Sequence, residues 1–227
     1  GYDLFDGLPA LFLDCEGCRE FRYDYSKLCG EVFAETFLRP IHEWCPAHGC
    51  RLTGHGVEEF SLAGQIQCCG SIMPMYEYED MPGMDYLGRE VRDDLGGRQL
   101  GSACAQFGKK KALSEMFACC GWDVSPRELK RLADSQYVNG VNVMCQHLYP
   151  YTEHGQRKRD YPAHYSEHLP WQDELRDFNR YFTHLGAFLS RGEEDVHTLI
   201  IHPVHAAYMS FLQQAGWGTC RDISAPF

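Results

Sequence analysis

The sequence predicts an α/β fold: the C-terminal portion of a (β/α)8 TIM barrel, parallel strands alternating with helices, followed by the first strand of a further domain. Three observations carry that prediction. Short apolar runs and amphipathic stretches alternate at intervals of about 20 to 35 residues, the rhythm of parallel strands joined by covering helices. The chain has 227 residues and shows only four such units, whereas a complete barrel takes ~250 residues. Successive strand ends carry carboxylates, imidazoles and aromatic rings, as the functional rim of a barrel does. The expected division is residues 1–193 for the barrel half and 194–227 for the start of a following α/β or β domain.

The elements follow in order. GYDLFDGLPALFLD has no basic stretch before its apolar residues and does not read as a signal peptide. Residues 26–48 place Leu28, Val32, Phe33, Phe37 and Ile41 at helical spacing, with a kink expected at Pro40 and an end at Gly49. CRLTGHG reads as a short strand stopping at Gly54, and SIMPMYEYED as a strand over 71–78. DYLGREVRDD reads as a loop, and GGRQLGSACAQFG as a helix terminated by Gly108. KKALSEMF is the next strand. SPRELKRLADSQYVNG is the clearest helix: Ser125 as N-cap, Pro126 at the first helical position, Glu128 closing a capping box, Gly140 ending it. Its apolar stripe is Leu129, Leu132, Ala133 and Tyr137. VNVMCQHLYPY reads as a strand entering an aromatic loop, WQDELRDFNRYFTHLGAFLSRG as a long amphipathic helix, and HTLIIHPV as a final buried strand. The chain shows neither internal repeats nor low-complexity tracts.

Composition narrows the function classes. Hydrophobic residues at 44% are enough for an ordinary core, and no apolar run reaches the roughly 20 residues that span a bilayer. The net charge of −11 repels phosphate backbones, and the runs Lys109–Lys111 and Arg157–Arg159 are too short to reverse it, so no nucleic-acid or membrane partner is expected. Cys68-Cys69 and Cys119-Cys120 are adjacent pairs, while Cys29, Cys104 and Cys145 sit in apolar patterns. Cysteines so placed point to free thiols and a reducing, cytoplasmic compartment. HEWCPAHGC offers His42, Cys45, His48 and Cys50, but at intervals unlike a zinc motif, and Cys15-x2-Cys18 lacks a thioredoxin-like context, so no metal ligand is assigned.

The strand ends select the candidate chemistry. RLTGHG delivers His55 with Glu58 just beyond; SIMPMYEY delivers Tyr76 and Glu77; KALSEMF delivers Glu115 with Trp122 in its loop; VNVMCQH delivers Asn142 and His147, followed by Tyr149. Carboxylates for proton transfer beside aromatic faces suit a sugar site. Glu115, Glu77 and Glu58 are the catalytic candidates, with His55, Tyr76, Trp122, Asn142, His147 and Tyr149 as substrate-binding candidates. Each has a plainer reading. Glu115 can pair with a basic residue at the rim, His147 can be a satisfied core histidine, Trp122 can be core, and one of Glu77 and Glu79 can be merely solvated.

GYDLFDGLPALF resembles a segment of the α-L-rhamnosidases of glycoside hydrolase family 106 and their uncharacterised relatives. The likeness continues in order through FRYDYSKLCGEVFAETFLRPIHEWCPAHGCRLTGHG, MPMYEYEDMPGMDYL, SACAQFGKKKALSEMFACCGWD, QYVNGVNVMCQHLYPYTEHGQRKRDYP and LIIHPVHAAY. The resemblance implies a barrel glycosidase acting on an oligosaccharide or glycoside with two carboxylic acids. Glu115 matches the family's strand-end glutamate, and the general acid is implied upstream of Gly1. Where family members carry a glutamate at the end of the preceding strand, this chain has His55 in TGHG. The resemblance also implies a calcium ion, without assigning its ligands; no other cofactor is expected, and the oligomeric state is left open. A non-catalytic carbohydrate-binding or scaffold barrel is the alternative, and a metal-dependent hydrolase or lyase using His55 and His147 is a third reading.

Overall fold

A computed structural model describes residues 3–92, 95–213 and 219–220. Asp93 and Asp94 of the expected loop, and 214–218 and 221–227 of the expected following domain, lie outside the described residues. The chain forms two compact units. One comprises Gly1–Leu52, Gly56–Glu79 and Asp195–Phe227; the other comprises Thr53–His55 and Asp80–Glu194.

The first unit is helical. α1 (Leu4–Gly7) is capped by the Asp3 carboxylate, which accepts from the Phe5 amide at 2.8 Å. The helix expected from residue 26 begins earlier, as α2 (Cys18–Phe33), and passes through a π-turn (Ala34–Leu38) directly into α3 (Arg39–Ala47). Pro40 lies inside this continuous helical run, where it cannot donate to the backbone ladder, and the π-turn directly before it takes up the change in winding. The expected stripe does not form the inner face, since Leu28, Val32 and Phe37 are exposed. α2 buries Phe21 and Arg22 instead. The Arg22 guanidinium donates through Nε to the Ala10 carbonyl (2.7 Å) and through Nη2 to the Leu13 carbonyl (2.9 Å) and Asp14 (2.9 Å), so its buried charge is paired. Ser61 caps α4 (Leu62–Cys68) by accepting from the Gly64 amide.

The strand expected over 71–78 is absent; a 3-10 turn occupies Met75–Glu77. Met75 and Tyr76 are buried as consecutive residues, which the two-residue alternation of a half-buried strand does not allow, and Pro74 cannot donate to a ladder.

The second unit is α/β. β1 (Gly83–Tyr86), α5 (Leu95–Phe107), β2 (Leu113–Met116), α6 (Pro126–Tyr137) and β3 (Val143–Gln146) run in that order, and α7 (Leu175–Leu189) follows. The three strands form one parallel sheet, β1-β2-β3. Thr53 extends it by a single parallel bridge to Met81, so the expected RLTGHG strand reduces to one pairing. The second half of β1, Asp85 and Tyr86, falls in the segment DYLGREVRDD that was expected to be loop. Gly83 is essential to this edge: a Cβ there would stand 2.2 Å from the Gly54 carbonyl oxygen, so only glycine admits the His55 segment beside β1.

α6 forms as predicted. Ser125 Oγ accepts from the Glu128 amide while the Glu128 carboxylate accepts from the Ser125 amide at 2.9 Å. Leu129, Leu132 and Ala133 are each at most 2% exposed. Burial pushes the Tyr137 phenol up to about 12. α5 ends at Phe107, and Gly108 follows with φ +66° as the predicted terminator.

The first unit is completed by α8 (Val204–Ser210), which packs on α2, and by the antiparallel pair β4 (Phe211–Leu212) and β5 (Thr219–Cys220). The buried strand expected in HTLIIHPV does not form. Leu199, Ile200 and Ile201 are 86%, 76% and 85% exposed, because no strand in the described residues offers them a hydrogen-bonding partner.

Candidate functional site

Strand register builds the site. Gly83, Leu113 and Val143 pair across the sheet, and two residues on so do Asp85, Glu115 and Cys145. Residues paired in register share a face, and the period of two leaves Met84, Ser114 and Met144 on the opposite one. On that opposite face Met84, Ser114 and Met116 are fully buried, and Ser114 Oγ donates to Gln136 Oε1 of α6. The polar row therefore lies away from the helices, at the carboxyl ends of the strands.

Glu115, on the central strand, is the focus. Its side chain is 18% exposed, with Oε2 2.9 Å from His55 Nε2 and Oε1 3.9 Å from His147 Nε2. His147 follows β3 by one residue, its amide donating to the Met116 carbonyl at 2.9 Å. Its Nδ1 is buried without a hydrogen bond, and its ring lies 5.6 Å from that of Tyr161. Asp85 completes the group: ligand atoms of His55, Asp85 and Glu115 all lie within 4.8 Å of one another. Beside Glu115 on β3, the Cys145 thiol is raised by partial burial, then by the Glu115 charge.

The structure thus brings together Glu115, His55 and His147, the first two by direct contact. Neither partner of Glu115 is a lysine or arginine. Asp85 was missed because DYLGREVRDD, which it opens, was read as loop; the alternation of buried Met84 and Tyr86 with half-buried Asp85 is the signal that could have found it.

Glu58, Tyr76 and Glu77 belong to the other compact unit. There Tyr76 is fully buried, Glu77 is exposed at the end of its 3-10 turn, and Glu58 has a left-handed φ of 61°. Asn142 spends both ends of its amide on backbone, Oδ1 accepting from the Ala112 amide and Nδ2 donating to the Lys110 carbonyl, each at 3.0 Å. Trp122 Nε1 donates to the Lys158 carbonyl at 3.1 Å, and its ring meets His164 edge-on at 5.4 Å, tying the β2 loop to the β3 loop. Tyr149 is 68% exposed and donates to Glu167 at 3.0 Å.

Tyr149 also lines a cleft of about 540 Å³ with Tyr151, Glu153, Lys158 and His168. In it Glu153 Oε2 is 2.8 Å from His168 Nδ1, a pairing with no signature in the sequence. A separate charged layer sits at the start of α6. Arg89 donates to both Asp123 and Glu128, and Asp123 is lowered by that pairing first. Glu128 is held to about 2, chiefly by the Ser125 amide, then by the Ser125 hydroxyl and Arg89.

Calcium takes 6–8 oxygen ligands. Two carboxylates and an imidazole do not meet that demand, so this cluster does not fit the ion that the resemblance implies. Cys15 and Cys18 are free thiols, and among the described residues HEWCPAHGC gathers no metal-ligand group; His48 Nδ1 instead lies 2.9 Å from the Trp44 carbonyl.

A short parallel sheet alternating with covering helices, its carboxyl ends gathering carboxylates and imidazoles, defines an α/β fold with the site at one sheet rim. The solved structure of a rhamnosidase from Novosphingobium sp. PP1Y is similar to this chain, with a TM-score of 0.65 at 20% sequence identity over 85% of the chain. The match spans 19% of that protein's length. No family model matches the chain, and no curated protein does. Among the described residues no helix is long and apolar enough to cross a membrane.

Proposed function

We propose that this chain is part of a glycoside hydrolase of the rhamnosidase kind, cleaving O-glycosidic bonds of an α-L-rhamnoside-like substrate, with its sheet as a segment of a (β/α)8 barrel. The observation that carries the reading is Glu115, an incompletely buried carboxylate at the carboxyl end of the central parallel strand, contacted by His55 rather than neutralised by a lysine or arginine. Glu115 acts as the base that activates water or as the nucleophile at the anomeric carbon. The second carboxylic acid protonates the departing oxygen. His55 orients the Glu115 carboxylate, and His147 and Tyr161 flank the sugar.

The test is hydrolysis of aryl α-L-rhamnosides by the whole protein carrying these residues, comparing the parent with Glu115→Gln. A loss of about 10²–10⁴-fold in kcat with unchanged circular dichroism is expected. Turnover near the parent's would remove Glu115 from the reaction. Oligosaccharide binding without release of reducing ends would instead favour a carbohydrate-binding barrel.

A further inference from the structure

We propose that His55, Asp85 and Glu115 form a binding site for a transition-metal dication of the zinc class. The inference does not rest on glycoside hydrolysis and stands or falls on metal binding alone. Three observations carry it.

Asp85 and Glu115 are paired in register on β1 and β2, and His55 lies two residues beyond the single Thr53–Met81 bridge at the same sheet edge. Their ligand atoms lie within 4.8 Å of one another. Tetrahedral metal bonds of ~2.0–2.2 Å place neighbouring ligand atoms roughly 3.3–3.6 Å apart, so the 2.9 Å between His55 Nε2 and Glu115 Oε2 needs to open only slightly. Two carboxylates and a neutral imidazole also supply two negative charges, matching a dication. A mixed nitrogen and oxygen donor set selects zinc-like ions over calcium or magnesium, which want oxygen throughout.

His147 is the third observation. It is a second imidazole within 3.9 Å of the same carboxylate, with its Nδ1 buried and lacking a hydrogen bond. Buried polar atoms are seldom left this way, and the ring presents its other nitrogen, Nε2, to the Glu115 carboxylate. With the ion in place Glu115 is a ligand and not a free base, so the ion and the proton-accepting role of Glu115 exclude one another.

The chain is stripped with a chelator and titrated with Zn²⁺ and Co²⁺, following calorimetric heat and cobalt absorption. One ion per chain is expected, with no thiolate-to-cobalt charge-transfer band, and millimolar Ca²⁺ should not displace it. His55→Gln and the isosteric Asp85→Asn should each weaken binding by at least about 10-fold; Asp85→Asn keeps the comparison valid if His55→Gln fails to fold. If the whole protein hydrolyses glycosides, Zn²⁺ should suppress turnover and the chelator restore it. Absence of saturable binding, a thiolate band, displacement by calcium, or affinity unchanged in both variants would each overturn the proposal.

Discussion

Gly83→Ala tests the link between the sheet edge and the site. Gly83 does not have a left-handed φ, so alanine can adopt its backbone, and the cost lies in the contact alone. The new methyl would stand 2.2 Å from the Gly54 carbonyl oxygen and 3.3 Å from Leu113 Cδ2. The leucine end can turn away, but the carbonyl is backbone. Because non-bonded heavy atoms settle at about 3.5 Å, the Gly54 segment must retreat by roughly 1 Å. Overpacking of this kind costs about 1–3 kcal/mol, and the lower entropy of an unfolded chain with alanine returns up to about 1 kcal/mol. A net loss of about 1–2 kcal/mol is expected in urea unfolding. The same retreat carries His55, the next residue, away from Glu115, and a shift of about 1 Å breaks a hydrogen bond of this length. Imidazole NMR should therefore show His55 changed and His147 nearly unchanged. A variant as stable as the parent, with both imidazole spectra intact, would refute the claim that glycine at this position sets the geometry of the site.

Ser125→Ala removes the capping box and should cost about 1 kcal/mol in urea unfolding. Leu129→Ala empties a fully buried position of α6 and should cost about 2–5 kcal/mol. The Glu128 pKa is depressed in the fold, so its contribution to stability is complete above the unfolded value of 4.5 and is lost as pH falls toward about 2. Unfolding free energies measured across that window should decline less steeply in Glu128→Gln. Burial pushes the Cys69 thiol up to about 12 and the Cys120 thiol up to about 11. Iodoacetamide at neutral pH should label exposed Cys15 and Cys50 and spare these two, as peptide mass spectrometry would show.

What the sequence made legible was local. Ser125, Pro126 and Glu128 sit at fixed offsets that define a helix start, and α6 formed there. The runs ending in Glu115 and preceding His147 had strand periodicity within five or six residues, so β2 and β3, and two members of the site, were found. What failed was non-local. GMDY is too short to show periodicity and becomes a strand because Leu113–Met116 is present to pair with it. LII in 199–201 has the composition of a strand, but composition does not supply a partner. SIMPMYEY was misread because Met75 and Tyr76 are buried in sequence rather than alternately. Asp85 was lost with β1, so the sequence yielded a carboxylate with two imidazoles where the structure has a four-residue group.

The in-register row of Asp85, Glu115 and Cys145 carries a lesson for engineering. The connecting helices could be lengthened or exchanged, since each returns its strand to the same pairing. Deleting a single residue inside β2 would swing Glu115 into the apolar layer and present methionine or serine in its place. The site is thus tolerant of change between its strands and brittle within them, and design effort belongs in the crossovers.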